Sequence, residues 1–313
     1  MNPPLVPRKI GLRFLIGEWA VGMWYPRLVV LDPADLGAVA TLQPPEAYKA
    51  LLSAEAAGVL CRRMPAEHFG VGIGSYGRWL RYVRSKDIHH FVEIQATWEV
   101  YFSKFTGKSR QNLRRSVKRF TERQQGATGV ELLMAPADMP RFHREALAIS
   151  EQTYQHKLLK SGLPSGPAFA AHLEKLAHEG RARGYLLRDG GRAVAYAWCS
   201  MSDDVLKYEI VGYLPECAEL SPGTVLLHHI VEDAHQIPNC RFVDFGPGEA
   251  AYKSMFANRN VEYVDLYLFR MTALNAVLVG LHRGLAVANE ALGRLLESLG
   301  VKARIKRLIR ALS

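Results

Sequence analysis

Leu220-Ser221-Pro222-Gly223-Thr224 decides how this chain is read, because it joins a strand pattern at Val205 to Tyr213 directly to an apolar-periodic helix running to about His235. Ser221 suits the N-cap of that helix and Pro222 its first position, where no N–H is missed. Gly223 leaves room for a bulky anion to approach the N–H groups at the helix start, and the helix dipole favours negative charge there. The same residues serve an ordinary capped helix with nothing bound. Strand, glycine-bearing turn and helix together form a phosphate-site pattern.

Just downstream, Val243-Asp244-Phe245-Gly246-Pro247-Gly248 closes a strand at Arg241 to Phe245 in a Gly-rich turn, and Glu249, Tyr252 and Lys253 follow on a short helix predicted over Glu249 to Ala257. A loop at a sheet end is where sites usually form. An Asp beside Gly equally suits a turn cap. Asp244-Phe245-Gly246 has the letters of a kinase metal-binding triplet, but no H-R-D loop or V-A-I-K strand accompanies it.

Upstream, strands are predicted over 130–134, 184–188 and 193–202, with a hairpin at Asp189-Gly190-Gly191 and helices near 138–156 and 166–179. A helix over 109–124 buries Leu113, Val117 and Phe120 on one face and carries a basic opposite face. The first third reads as mixed, with an apolar stretch over 13–31, a helical pattern over 45–63 and a strand over 90–95. Gly72 to Gly77 satisfies G-x-G-x-x-G literally, yet no buried strand precedes it, so no dinucleotide fold is assigned. The expected class is α/β (α+β), helices on a mixed, antiparallel-rich sheet. His228, Glu232 and His235 share a helical face as metal ligands do, but a solvated face uses the same spacing, and no metal is assigned.

The chain has 313 residues, 49% hydrophobic and 22% charged, enough for a large core and about twice a typical domain of ~150 residues. Cys61, Cys199, Cys217 and Cys240 form no C-x-x-C pair, which points away from zinc and thioredoxin-type centres and toward a reducing cytoplasm. The apolar stretch from Arg13 to Tyr25 is interrupted by Glu18 and followed by no cleavage motif, so secretion is rejected. No uncharged apolar run reaches the ~18 residues that cross a bilayer.

Forty basic against thirty acidic residues give a net charge of +10, which favours anionic partners. The excess is concentrated at 104–123 and at 301–313. The first cluster, which includes Arg114, suits a phosphate better than nucleic acid, because its basic face carries no aromatics for base stacking. In the second, Val301, Ile305, Leu308, Ile309 and Leu312 recur at helical spacing beside five basic residues. This describes an amphipathic anchor for an anionic membrane surface, or equally a terminal helix docked on the protein.

Three stretches together resemble the GNAT acyltransferase superfamily: Lys108-Ser109-Arg110-Gln111-Asn112-Leu113-Arg114-Arg115, Tyr213-Leu214-Pro215 continuing to Ser221-Pro222-Gly223-Thr224-Val225-Leu226-Leu227, and Asp244-Phe245-Gly246-Pro247-Gly248-Glu249-Ala250-Ala251-Tyr252-Lys253. More narrowly the chain resembles the CelD-like branch found in bacterial polysaccharide-synthesis loci, distantly related to the Fem-type aminoacyltransferases. The resemblance covers about Trp98 to Phe269. It implies two GNAT-like halves, at 1–129 and 130–272, followed by a helical basic tail at 273–313. It also implies acyl-CoA as co-substrate and an amine acceptor, either an amino sugar of a surface polysaccharide or a lipid or sphingoid amine. The location it suggests is cytoplasmic, extending to the inner face of the membrane. The family's usual Q/R-x-x-G-x-G/A loop is absent, which keeps aminoacyl transfer from tRNA, and a catalytically inert binding module, as alternatives.

On that resemblance the pantetheine arm pairs with a splayed strand at Val211 and Gly212. The pyrophosphate lies on Ser221, Gly223 and Thr224, with Lys253 and Arg114 as further phosphate partners. A free amine with pKa near 10 is only about one part in a thousand deprotonated at neutral pH, adding roughly 4 kcal/mol to the barrier unless a base assists. Glu209 and Asp244 are the candidates for base or amine orientation, and Tyr252 for protonating the leaving thiolate. An edge-strand surface residue and a packing aromatic are the plain alternatives for Glu209 and Tyr252.

Overall fold

The computed structural model describes residues 6–17, 19–31, 44–123, 129–153 and 162–298. The chain divides into two compact units, one made of residues 1–87 with 262–313 and the other of residues 88–261. The division falls at 87/88 and 261/262, not at the 129/130 and 272/273 suggested by the sequence. The basic helix before residue 129 packs against later helices, and the last strand of the second half pairs with the first third of the chain. The basic segment 301–313 lies outside the described residues.

The first unit contains β1 (Arg8–Lys9), β2 (Leu12–Ile16), β3 (Trp19–Trp24), β4 (Arg27–Leu31), α1 (Pro45–Ala50), β5 (Gly58–Pro65), β6 (Gly72–Tyr76) and the start of β7 (Trp79–Glu93). The helical pattern expected over 45–63 is realised only as α1. Gly58 onward is strand, because Val59, Leu60 and Cys61 form a continuous buried run of the kind that lies in a sheet interior. The G-x-G-x-x-G stretch is β6, hairpinned onto β7 with Tyr76 opposite Trp79.

In the second unit follow α2 (Trp98–Phe102), α3 (Gly107–Arg123), β8 (Val130–Leu133), α4 (Met139–Ser150), α5 (Pro167–His178), β9 (Ala182–Asp189), β10 (Arg192–Ser202), β11 (Val205–Tyr213), α6 (Pro222–Ala234), β12 (Phe242–Pro247) and α7 (Ala251–Phe256). β13 (Arg259–Arg270) leads back to the first unit, which α8 (Ala273–Ser298) completes.

The second unit's strands run in the order β7-β12-β11-β10-β9-β8, antiparallel except for the parallel pair β11–β12. Helices α3 to α6 cover this mixed sheet, the α/β class expected. Its core holds Trp198, Tyr196, Leu186, Phe142 and the apolar face of α6. Leu227, Ile230, Val231 and Ala234 recur on that face at helical spacing, with Val225 and Leu226 buried beside them, so packing against the sheet fixes where the start of α6 points.

Candidate active site

Two features of β11 create the site. Eight registered pairs join it to β10 from Val205 to Tyr213, but only Val205, Leu206 and Lys207 pair with β12. Beyond Lys207 the two parallel strands part. The opening is set on the β12 side, where Asp244 Oδ1 accepts the Gly246 N–H at 2.7 Å and Pro247 has no N–H to offer. The second feature is a bulge. Trp198 faces Ile210 and Cys199 faces Tyr208, so Glu209 is the extra residue, without a partner on β10.

A cavity of about 560 Å³ occupies one side of the opening, lined by Tyr196, Val211, Gly212, Tyr213 and the α6 start from Ser221 to Thr224. A second, of about 530 Å³, is lined by Lys207, Glu209, Asp244, Gly246 and Lys253. Tyr208, Val211 and Tyr252 line both. The structure thus brings together Val211, Gly212, Ser221, Gly223, Thr224 and Tyr252 around one cavity, and Glu209, Asp244 and Lys253 around its neighbour.

Several of these residues do something other than expected. Ser221 stands at the N-cap position in a left-handed conformation, φ 54° and ψ 47°, and its side chain makes no capping bond. Its carbonyl instead accepts Thr224 N–H at 3.0 Å and Val225 N–H at 3.1 Å. With Pro222 lacking a donor, Gly223 supplies the one N–H among Pro222 to Val225 that no described residue accepts. Gly212 is required by packing, since a Cβ there would lie 2.7 Å from the Tyr196 ring. Arg114 is not beside the α6 start: its guanidinium lies 5.5 Å over the Phe102 ring in a separate cleft with Trp98, Arg110 and Lys118.

Asp244 is buried, 8% exposed, and its Oδ1 is hydrogen-bonded to His89 Nε2 as well as to Gly246. The turn-capping role is therefore real, although Asp244 still lines the cavity. His89 was not found from the sequence. It is held against Asp244 by the β7–β12 ladder and stacks on Phe91 at 4.3 Å. His90, on the opposite pleat, bonds through Nδ1 to Asn260 Oδ1 at 2.8 Å and sits 3.3 Å from Glu249, so consecutive histidines reach both carboxylates flanking the Gly-Pro-Gly turn.

Glu209 accepts a hydrogen bond from the buried Ser200 hydroxyl and is otherwise exposed. Tyr252 packs edge-on against Tyr208 and Phe245, both at 6.0 Å, and burial raises its pKa, so it remains a proton donor at neutral pH. Lys253 is buried and donates to Gly246 O at 3.1 Å. Burial lowers its pKa, while Asp244 and Glu249 oppose the shift.

The histidines of α6 also group differently from the helical-wheel expectation. His228, His229 and Glu232 have ligand atoms within 4.8 Å of one another, whereas His235 Nδ1 bonds to Val231 O at 2.7 Å. Burial, and then His229, push the His228 pKa down to about 4 against the pull of Glu232.

Residues 107–254, spanning α3 to most of α7, match the model of the acetyltransferase (GNAT) domain. This region belongs to the GNAT acyltransferases. The residues that line both cavities lie within this GNAT region, and His89 of β7, outside it, bonds to the lining Asp244. No curated protein matches the chain.

Among solved structures, the chain is similar to the C-terminal domain (DUF2156) of a lysylphosphatidylglycerol synthetase candidate from Agrobacterium fabrum, at 13% identity and TM-score 0.48 over 76% of this chain and 75% of that one. It is similar to FemX at 10% identity and TM-score 0.48, over 74% and 76%. A GCN5-related N-acetyltransferase from Kribbella flavida aligns at 14% identity and TM-score 0.33, over 74% of each chain.

Proposed function

We propose that this acyltransferase moves an acyl group from acyl-CoA to the amine of an amino sugar or of a lipid or sphingoid base, as in the CelD-like branch that its motifs resemble. The observation that carries the reading is the opening between β11 and β12, with one cavity on either side meeting at Tyr208, Val211 and Tyr252. The donor's amide-bearing arm pairs with the open edge of β11 at Val211 and Gly212. Its phosphates approach the Gly223 N–H and the Thr224 hydroxyl at the α6 start, where the helix dipole is favourable. The acceptor enters from the side of Glu209, Asp244 and Lys253, where polar groups suit a hydroxylated amine.

The chemistry is direct transfer. The amine nitrogen attacks the thioester carbonyl, the C–N bond forms and the C–S bond breaks. Glu209, raised on the bulge and steadied by Ser200, takes the ammonium proton directly or through water. Tyr252 returns a proton to the departing thiolate. Asp244, tied to His89 and Gly246, holds the turn beside the acceptor and orients the amine.

The test is thermal stabilisation by acetyl-CoA, a long-chain acyl-CoA, free CoA and charged tRNA at matched ionic strength, since a ligand at a hundred times its dissociation constant adds about 2.7 kcal/mol. A shift with the CoA species and none with tRNA is expected, together with acyl-CoA consumption that depends on an added amine. A shift with charged tRNA alone would move the donor to aminoacyl-tRNA. Absence of any shift and any turnover would leave an inert module.

A further inference from the structure

Helix α8 carries a pattern that its own unit does not use. Leu274, Leu278, Leu281, Leu285, Ala288, Leu292 and Leu295 follow one another at alternating spacings of four and three residues, the heptad period of a coiled-coil seam. The contacts that dock α8 on its unit come from other positions. Val279 is buried beside Leu12 and Phe269, His282 Nδ1 bonds to Tyr82 OH at 2.7 Å, and Asn289 bonds to Leu15 O and Gly17 N–H. Most of the seam is left outside: Leu274 is 67% exposed, Leu281 54%, Leu292 44% and Leu295 55%, while Leu278 and Leu285 are half-buried. At 1.5 Å per residue it runs for about 33 Å.

Charge and size indicate what covers it. The charged residues of α8 are Arg283, Glu290, Arg294 and Glu297, two of each sign, and all sit at outer heptad positions. A helix that lies on anionic lipid presents a strongly basic polar face, and α8 has no net charge to offer one. A second helix with the same period and the same neutral flanks is matched to it, and the small Gly284 and Ala291 beside the seam allow close approach. A two-fold axis requires one patch to complement itself, and a heptad seam does so.

We propose that α8 pairs with the α8 of a second copy of this chain, forming a homodimer through a coiled-coil-like seam. The test is the molar mass of the full chain by light scattering and sedimentation across a dilution series. The wild type should have twice the 35.0 kDa chain mass. The variant L281E/L292E should fall to the chain mass with unchanged circular dichroism. A288L, which fills the gap in the seam, should stay dimeric to roughly tenfold greater dilution, and it keeps the test alive if the glutamate variant fails to fold. A wild type at the chain mass throughout, or L281E/L292E retaining the doubled mass, would overturn the proposal. So would a monomeric wild type that floats with phosphatidylglycerol vesicles while L281E/L292E does not, which would make the seam a membrane face.

Discussion

Each unit contains a parallel strand pair, and the two pairs behave differently. In the first unit, β4 and β5 stay in register over Leu28 to Leu31 and Gly58 to Cys61, while β5 also pairs with β13 across the same residues. β5 is sealed on both edges. In the second unit, β11 and β12 hold three pairs and then diverge, leaving β11 joined only to β10. The residues that seal the first pair are apolar and buried or half-buried, whereas an Asp, a Pro and two Gly end the second. Here the parallel pair opens where local side-chain chemistry removes the partners of its ladder, with no change in strand order.

The largest effect should come from the open pair. Glu209→Gln should lower kcat by about 10²–10³ with little change in unfolding midpoint, because Glu209 is exposed and contributes little packing. Full turnover in this variant would return Glu209 to the surface role that its edge position allows. In the sealed pair the effect should fall on stability instead. A Cβ at Gly58 would lie 2.1 Å from Leu268 O, so Gly58→Ala should cost about 3 kcal/mol in urea unfolding. Acyl transfer by the fraction that remains folded should be normal.

An acid response follows for the second unit. His228 is depressed to about 4 when folded against 6.5 when unfolded, so between those values the unfolded chain binds more protons. Stability should therefore fall by about 2–3 kcal/mol as pH drops from about 6.5 to about 4. His228→Gln should flatten the pH dependence of the unfolding midpoint over that window, leaving the response of His282, whose pKa burial also lowers in the first unit.

The smallest change is Gly223→Ala. A Cβ there meets the Tyr213 ring at 3.4 Å, an ordinary contact, so stability should move by less than about 1 kcal/mol. KM for acyl-CoA should rise several-fold if the methyl crowds the phosphate approach, and titration of acyl-CoA at saturating amine reads this out.

Much of the second unit was legible because its signals are local. Val205 to Tyr213 was read as a strand and is one, and the helix after Ser221 starts where Pro222 requires. The grouping of Glu209, Asp244, Tyr252 and Lys253 followed from a strand and a glycine-rich turn lying close in sequence. His89 was out of reach, since it meets Asp244 only through the β7–β12 ladder, 155 residues away. The left-handed Ser221 carries no sequence mark, because the same letters spell an ordinary cap. The first third was misread at Pro45 to Arg63, where alternation and a continuous buried run are confused with a helical period. The seam of α8 was present as a leucine repeat, but only its exposure in the folded unit separates it from a buried face.

The most direct measurement is amide hydrogen exchange with and without acetyl-CoA, read in peptides covering β11 and, as an internal control, β4 and β5. Slower exchange at residues 208–213 and at the start of α6, with 28–31 and 58–61 unchanged, is the expected result. If acetyl-CoA binds while residues 208–213 exchange as before, the open edge of β11 is not where the donor lies.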